Sequence, residues 1–196
     1  MKVILDAMGV IFHEEDDLVE SFMPYLEENA IVYGECSKRQ VIESTYLRLS
    51  KGELNSDQFF RDLRIKNPNL DFLLNVTLDE EFARFMNQHP NKLTVLSNDS
   101  QEWANYRNGK LGFDFPYITS SLLGVRKPDR KAYEKICWAL NEAPENCVYV
   151  DNLESNLHAP HSLGMNVVLF RRDGRNNSPF PITRNFSELN QYLRGK

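Results

Sequence analysis

Residues 2–5 form a short apolar run that stops at Asp6. Similar runs recur at 92–97, 147–151 and 166–170. Unbroken apolar stretches of this length predict strands covered on both faces, the usual state of a parallel sheet. The first three runs each end in a side chain able to do chemistry: Asp6, Ser97 and Asp151. Open α/β sheets bind ligands just outside the carboxyl ends of their strands, so these three side chains are expected to converge on one site.

Between the later runs the period becomes helical. Residues 129–140 repeat apolar positions at Ala132, Tyr133, Ile136, Cys137 and Leu140. Residues 156–163 read as a short helix stopped by Gly164. Pro160 there predicts a kink or a late helix start, because proline past the first turn removes a backbone hydrogen bond. Residues 187–193 predict a last helix, with Ser187 as N-cap and Glu188 in its first turn.

The stretch from 13 to 90 has no strand-like run. It carries three helical stripes: Leu18, Phe22, Tyr25 and Leu26; Val41, Ile42, Tyr46 and Leu49; Phe59, Phe60, Leu63 and Arg64. Asn67-Pro68-Asn69 marks a break. Together the pattern predicts an α/β chain, a doubly wound Rossmann-like parallel sheet with a small helical cap inserted after the first strand. The core is expected at 1–14 and 90–196 and the cap at 15–89. Phe22, Tyr25, Tyr46 and Phe59 are expected to fill the cap's interior, and Trp103 and Trp138 to be core or cap-facing.

Composition narrows the function. The chain of 196 residues is 41% hydrophobic and 26% charged, an ordinary globular mix. A net charge of −5 argues against a nucleic-acid partner, which needs a basic face. It leaves room for a small phosphorylated substrate, since a metal ion and one lysine reverse the sign inside a pocket. Cys36, Cys137 and Cys147 form no CxxC pair and read as buried free thiols, not as a zinc site or a disulfide framework. No apolar run reaches the length of a signal peptide or a membrane span, so a cytoplasmic protein with no membrane partner is expected. The four histidines are scattered and read as surface or supporting residues.

Four segments carry the candidate chemistry: Asp6-Ala7-Met8-Gly9-Val10-Ile11, Leu96-Ser97-Asn98, Arg126-Lys127-Pro128, and 150–156 (Val-Asp-Asn-Leu-Glu-Ser-Asn). Singly, most have plain explanations. Lys127 before a proline is a solvated loop residue, Ser97 an N-cap, Asp151 a turn residue. Asp6 resists this, because an unpaired carboxylate at the edge of a core strand is costly.

As an ordered set, the segments resemble the haloacid dehalogenase superfamily along nearly the whole chain. The resemblance implies that Asp6 is a nucleophile that becomes an aspartyl phosphate. Ser97 would hydrogen-bond the transferred phosphoryl group, and Lys127 would neutralise charge on it and on the nucleophile. Gly9 and Asn98 would bind substrate, Asn98 through its backbone N–H. Mg2+ would be held by the Asp6 and Asp151 carboxylates and the Met8 carbonyl. Asp6 to Ile11, Gly124 to Pro128, and Asp151 to Asn156 are similar to a branch that includes bacterial sugar-phosphate phosphatases.

One position departs from most phosphatases of that superfamily. Where they place an acid two residues after the nucleophile, this chain has Met8, which cannot move a proton. A positioned general acid is typically worth roughly 10²–10⁴-fold in rate. The acidic run His13-Glu14-Glu15-Asp16-Asp17 reads as a solvated flap and helix start, with a replacement acid as the other reading. Two alternatives stay open at this point: a 2-haloacid dehalogenase, which needs no acid for a departing halide, and a non-catalytic binding protein.

Overall fold

Alternation along the strands decides where each half of the core lies. The computed structural model describes residues 1–14, 18–113 and 115–195. Strand β1 (Lys2–Leu5) sends Val3 and Leu5 to one face and Ile4 to the other. Strands β2 (Leu93–Ser97), β4 (Cys147–Asp151) and β5 (Asn166–Phe170) match the expected runs. Two short strands, β3 (Tyr117–Thr119) and β6 (Ile182–Thr183), complete the sheet at its edges. They went unread because two or three residues make no recognisable apolar run.

All six strands are parallel, in the order β3-β2-β1-β4-β5-β6. Connections run outward from β1 through β2 to β3, then return to β4 on the other side. The reversal makes the β1/β4 crevice the topological switch point. Leu5 pairs with both Val95 and Val150, which brings Asp6 level with the ends of β2 and β4. The Asp6 N–H extends the ladder to the Val150 carbonyl at 2.8 Å.

Helices cover both faces, and a single short turn of helix, α6 (Ser120–Leu123), follows β3 directly. On one side α7 (Arg130–Leu140) packs Tyr133, Ile136 and Cys137 against Ile4, Leu96 and Tyr149. On the other, α5 (Gln101–Leu111) and α9 (Phe186–Arg194) cover Leu5, Val95 and Phe170. Asp129 caps α7 by accepting the Lys131 N–H. The helix near Pro160 starts late: α8 is His158–Ser162, so the proline sits in its first turn, where no N–H is needed. The final helix is capped by Asn185, which accepts from Glu188 N–H, and not by Ser187, whose N–H donates to the Glu81 carboxylate.

The insertion after β1 contains α1 (Leu18–Asn29), α2 (Lys38–Ser50), α3 (Ser56–Asp62), a 3-10 turn at Leu70–Leu74, and α4 (Phe82–Gln88). Capping boxes at Ser37/Gln40 and Asn55/Gln58 start α2 and α3. Trp103, on α5, is an aromatic hub: Phe22, Tyr46, Phe59, Phe60 and Phe72 of the insertion all ring it. Helix α4 instead packs on α9, with Phe85 and Phe186 centroids 4.9 Å apart.

Two surface expectations need correcting. Trp138 lies on the solvent side of α7, 85% exposed, outside the apolar face that helical spacing assigns to Tyr133, Ile136 and Cys137. Cys36 is exposed, in the loop before α2, while Cys137 and Cys147 are buried thiols. Among the described residues, no helix is long and apolar enough to cross a membrane.

Candidate active site

Three of the expected residues meet in hydrogen-bond contact. Lys127 Nζ lies 2.6 Å from Asp6 Oδ1 and 3.0 Å from Asp151 Oδ2, bridging the ends of β1 and β4. All three are buried. Asp6 Oδ1 also accepts the Ala7 N–H at 2.6 Å, whereas Oδ2 has no hydrogen bond from a described residue. One oxygen of the carboxylate is therefore held and the other is left for chemistry.

Asp151 is held more completely. Its oxygens accept from Lys127, the Tyr149 hydroxyl, the Leu153 N–H at 2.9 Å and the Asn156 amide at 3.0–3.1 Å. Tyr149 reaches Asp151 because they are two apart on β4 and share a face. Tyr133 packs edge-on against Tyr149 at 5.1 Å and donates to the Asn156 carbonyl.

The charges do not balance. Two buried carboxylates face one ammonium, leaving about one negative charge in a desolvated pocket. Burial first, then repulsion from Asp151, pushes the Asp6 carboxyl up to about 7, although Lys127 and the Ala7 N–H pull it down. Burial pulls Lys127 down, but the two carboxylates outweigh it and its ammonium is held above the usual lysine range. Burial and Asp151 raise Tyr149 well above the ordinary phenol, so it acts as a donor.

The remaining expected residues surround this trio. The Asn98 side chain does not point at a substrate position: it accepts the Lys127 N–H at 2.9 Å and donates to the Lys127 carbonyl at 3.1 Å. Ser97 ends β2 but is buried, and its hydroxyl lies beside the Tyr117 phenol on β3, away from the trio. Beneath it lies a buried ion pair, Arg107 with Asp99 at 2.5 Å.

The turn after Asp6 is closed by the Ala7 carbonyl, which accepts the N–H groups of both Ile11 and Phe12. Met8 is buried in that turn. Gly9 has φ +73°, and a Cβ there would meet the Asn152 side chain at 2.2 Å, so both backbone and neighbour require glycine. Of the acidic run, the Glu14 carboxylate accepts the Thr77 N–H, and Glu15, Asp16 and Asp17 lie outside the described residues.

Sequence reasoning assigned no role to Tyr149, Tyr133 or Asn156. The two-residue spacing of Tyr149 and Asp151 on a predicted strand was the available signal. Arg172 was missed as well: its guanidinium bonds the Gly9 carbonyl, the Val10 carbonyl at 2.8 Å and the Asp79 carboxylate at 2.6 Å. No local pattern announces partners so far away in the chain.

Oxygen ligands and an uncompensated charge are what a hard divalent cation requires. Among the described residues no cluster of three or more His, Cys, Asp or Glu side chains could hold a metal. A cation here would use Asp6 and a backbone carbonyl, with Asp151 contributing directly only by releasing a hydrogen bond.

A family model for haloacid dehalogenase-like hydrolases matches residues 3–159. The phosphatase MT3486 of Mycobacterium tuberculosis (strain CDC 1551 / Oshkosh) is 28% identical over 78 residues, 40% of this chain and 35% of that protein. The match thus spans about a third of the relative's length. A HAD phosphatase from Thermococcus onnurineus superposes with TM-score 0.69 at 20% identity, covering 100% of this chain and 99% of its own. The L-2-haloacid dehalogenase PA0810 gives 0.66 at 16%, covering 98% of each chain. The HAD family enzyme bt-2542 of Bacteroides thetaiotaomicron, in complex with magnesium and inorganic phosphate, gives 0.65 at 13%, covering 90% and 96%. At these identities the structural likeness establishes the fold.

Proposed function

The chain belongs to the haloacid dehalogenase-like hydrolases, and we propose that it is a Mg2+-dependent phosphohydrolase acting on a small phosphorylated metabolite, a sugar phosphate, through an aspartyl phosphate on Asp6. The observation that carries this reading is the asymmetry of the Asp6 carboxylate. Oδ1 is tied to Lys127 and the Ala7 N–H, which leaves Oδ2 to attack phosphorus.

Phosphoryl transfer asks mainly for positioning and charge stabilisation. Asp6 Oδ2 forms the new P–O bond as the bond to the leaving oxygen breaks. Lys127 supplies positive charge beside the transferred group, and Asn98 fixes the lysine backbone. Asp151, held by Tyr149, Leu153 and Asn156, fixes the Lys127 ammonium from the other side. Water then attacks phosphorus and regenerates Asp6. Mg2+, held by Asp6, the Met8 carbonyl and Asp151, would supply the missing positive charge and screen the phosphoryl oxygens. Ser97 is assigned to the phosphoryl group after a turn of its hydroxyl away from Tyr117, with Gly9 and the Asn98 N–H beside it. Residues 15–89 are assigned as the cap that selects the substrate, over a core of 1–14 and 90–196.

The test is phosphate release from p-nitrophenyl phosphate and a panel of sugar phosphates. Release is expected with Mg2+, and loss is expected with EDTA or in Asp6→Asn. No release from any of them with Mg2+ would refute the reading.

One observation favours a second reading. The oxygens of Asp151 already accept hydrogen bonds from four residues, which suits a site that works without metal. A 2-haloacid dehalogenase would use the same Asp6 on carbon. Chloride release from 2-haloacids, indifferent to EDTA, would select it.

A further inference from the structure

The loop that carries Asp6 is gripped from outside by one side chain of distant origin. Arg172, just after β5, donates to the carbonyls of Gly9 and Val10, two consecutive peptide units following Met8. The same guanidinium pairs with Asp79 at 2.6 Å. Phe170 supports it, with the Arg172 carbon 4.8 Å from the ring centroid. Both members of the ion pair are largely shielded, with side chains 19% and 9% exposed.

Asp79 lies on the extended segment by which the insertion returns to the core, next to the isolated bridge at Leu78. The outgoing and returning segments form a short antiparallel ribbon: His13 N–H bonds the Thr77 carbonyl, Phe12 bridges Leu78, and Asp79 N–H bonds the Ile11 carbonyl. Asp79 also caps the following turn, its Oδ1 accepting the Glu81 N–H at 2.8 Å. Arg172 therefore touches the nucleophile turn and the base of the ribbon at once. Gly9, in the left-handed region, lacks the steric restraint of a Cβ, so an external hold on its carbonyl fixes the orientation of the peptide.

We propose that Arg172 is a positioning residue that locks the nucleophile turn to the ribbon connecting core and insertion, so that loop geometry and insertion placement are set together. A planar guanidinium can bridge two carbonyls and a carboxylate, which a lysine ammonium on a flexible stem cannot match. The proposal rests on Asp6 as the reacting group only for its catalytic consequence.

The first experiment is residue-resolved amide exchange on Arg172→Ala. The amides of Ile11, Phe12, His13 and Asp79 are expected to exchange at least about tenfold faster, with β1, β4 and β5 amides unchanged. Unchanged protection at those four positions, or equal acceleration across the sheet, would overturn the proposal. The second is turnover of p-nitrophenyl phosphate with Mg2+. Here kcat is expected to fall roughly 10- to 100-fold in Arg172→Ala with KM nearly constant, to fall less in Arg172→Lys, and to recover in part with millimolar guanidinium ion. Full kcat in Arg172→Ala beside an inert Asp6→Asn would sink this inference alone. Full activity in Asp6→Asn would sink the assignment of Asp6, leaving the exchange result to decide the lock.

Discussion

Asn98 grips the main chain of Lys127 on both sides, its carbonyl oxygen accepting the Lys127 N–H at 2.9 Å and its amide donating to the Lys127 carbonyl at 3.1 Å. The two bonds fix the amide orientation and leave little freedom to the lysine backbone. Asn98→Ala removes both partners at once. Denaturant unfolding is expected to show a loss of about 1–3 kcal/mol. kcat is expected to fall roughly 10- to 100-fold, because the ammonium must hold its place between two carboxylates.

Tyr149 tests the support behind Asp151. Tyr149→Phe removes one donor from a buried carboxylate but leaves Lys127, Leu153 and Asn156 in place. The expected cost is about 1–3 kcal/mol by urea titration. A change within error would show that the remaining donors satisfy Asp151 without it.

Asp6 makes metal-free stability depend on pH with an unusual sign. Its carboxyl is raised from an ordinary 3.8 to about 7 in the folded state. Between those values the folded protein holds a proton that the unfolded chain has lost, so this group's contribution falls as pH rises. The penalty is complete above about pH 7 and absent below about pH 4. Asp6→Asn is therefore expected to be more stable than the wild type at pH 8 by a few kcal/mol, on the order of the shift. The advantage should shrink steadily toward pH 4. Thermal unfolding of both proteins across that range checks it, and a constant difference would contradict it.

Met8 predicts a steep dependence on the leaving group. With no acid at that position, turnover of aryl phosphates should slow sharply as the leaving phenol becomes more basic. Met8→Asp should flatten the series and raise the slowest substrates, by up to roughly 10². Burial of Met8 in the turn makes some loss of stability the accompanying expectation. Equal slopes in both proteins would locate the proton donor elsewhere.

The sheet's four long strands were legible because burial on both faces writes itself as continuous apolar sequence. β3 and β6 were not, since edge strands of two or three residues owe their place to pairing with β2 and β5. Asp6 and Asp151 were legible because strand ends are where an α/β sheet puts its chemistry, whereas Lys127, in the loop before α7, was legible only through the resemblance carried by the ordered set of segments. The role of Asn98 toward Lys127 was hidden: a backbone clamp across 29 residues leaves no local trace. Ser97 was expected at the phosphoryl group, yet its hydroxyl sits against Tyr117, a residue on a strand that the pattern did not reveal. Arg172 was invisible for the same reason as Asn98, its partners being set by tertiary structure alone.

The central claim is that Asp6 carries the phosphoryl group, and an acyl phosphate can be caught chemically. Borohydride added during turnover of p-nitrophenyl phosphate with Mg2+ reduces an aspartyl phosphate to homoserine, which peptide mass spectrometry locates. The account predicts homoserine at position 6, absent when EDTA or substrate omission stops turnover. Sustained phosphate release with the Asp6 peptide unmodified would contradict it.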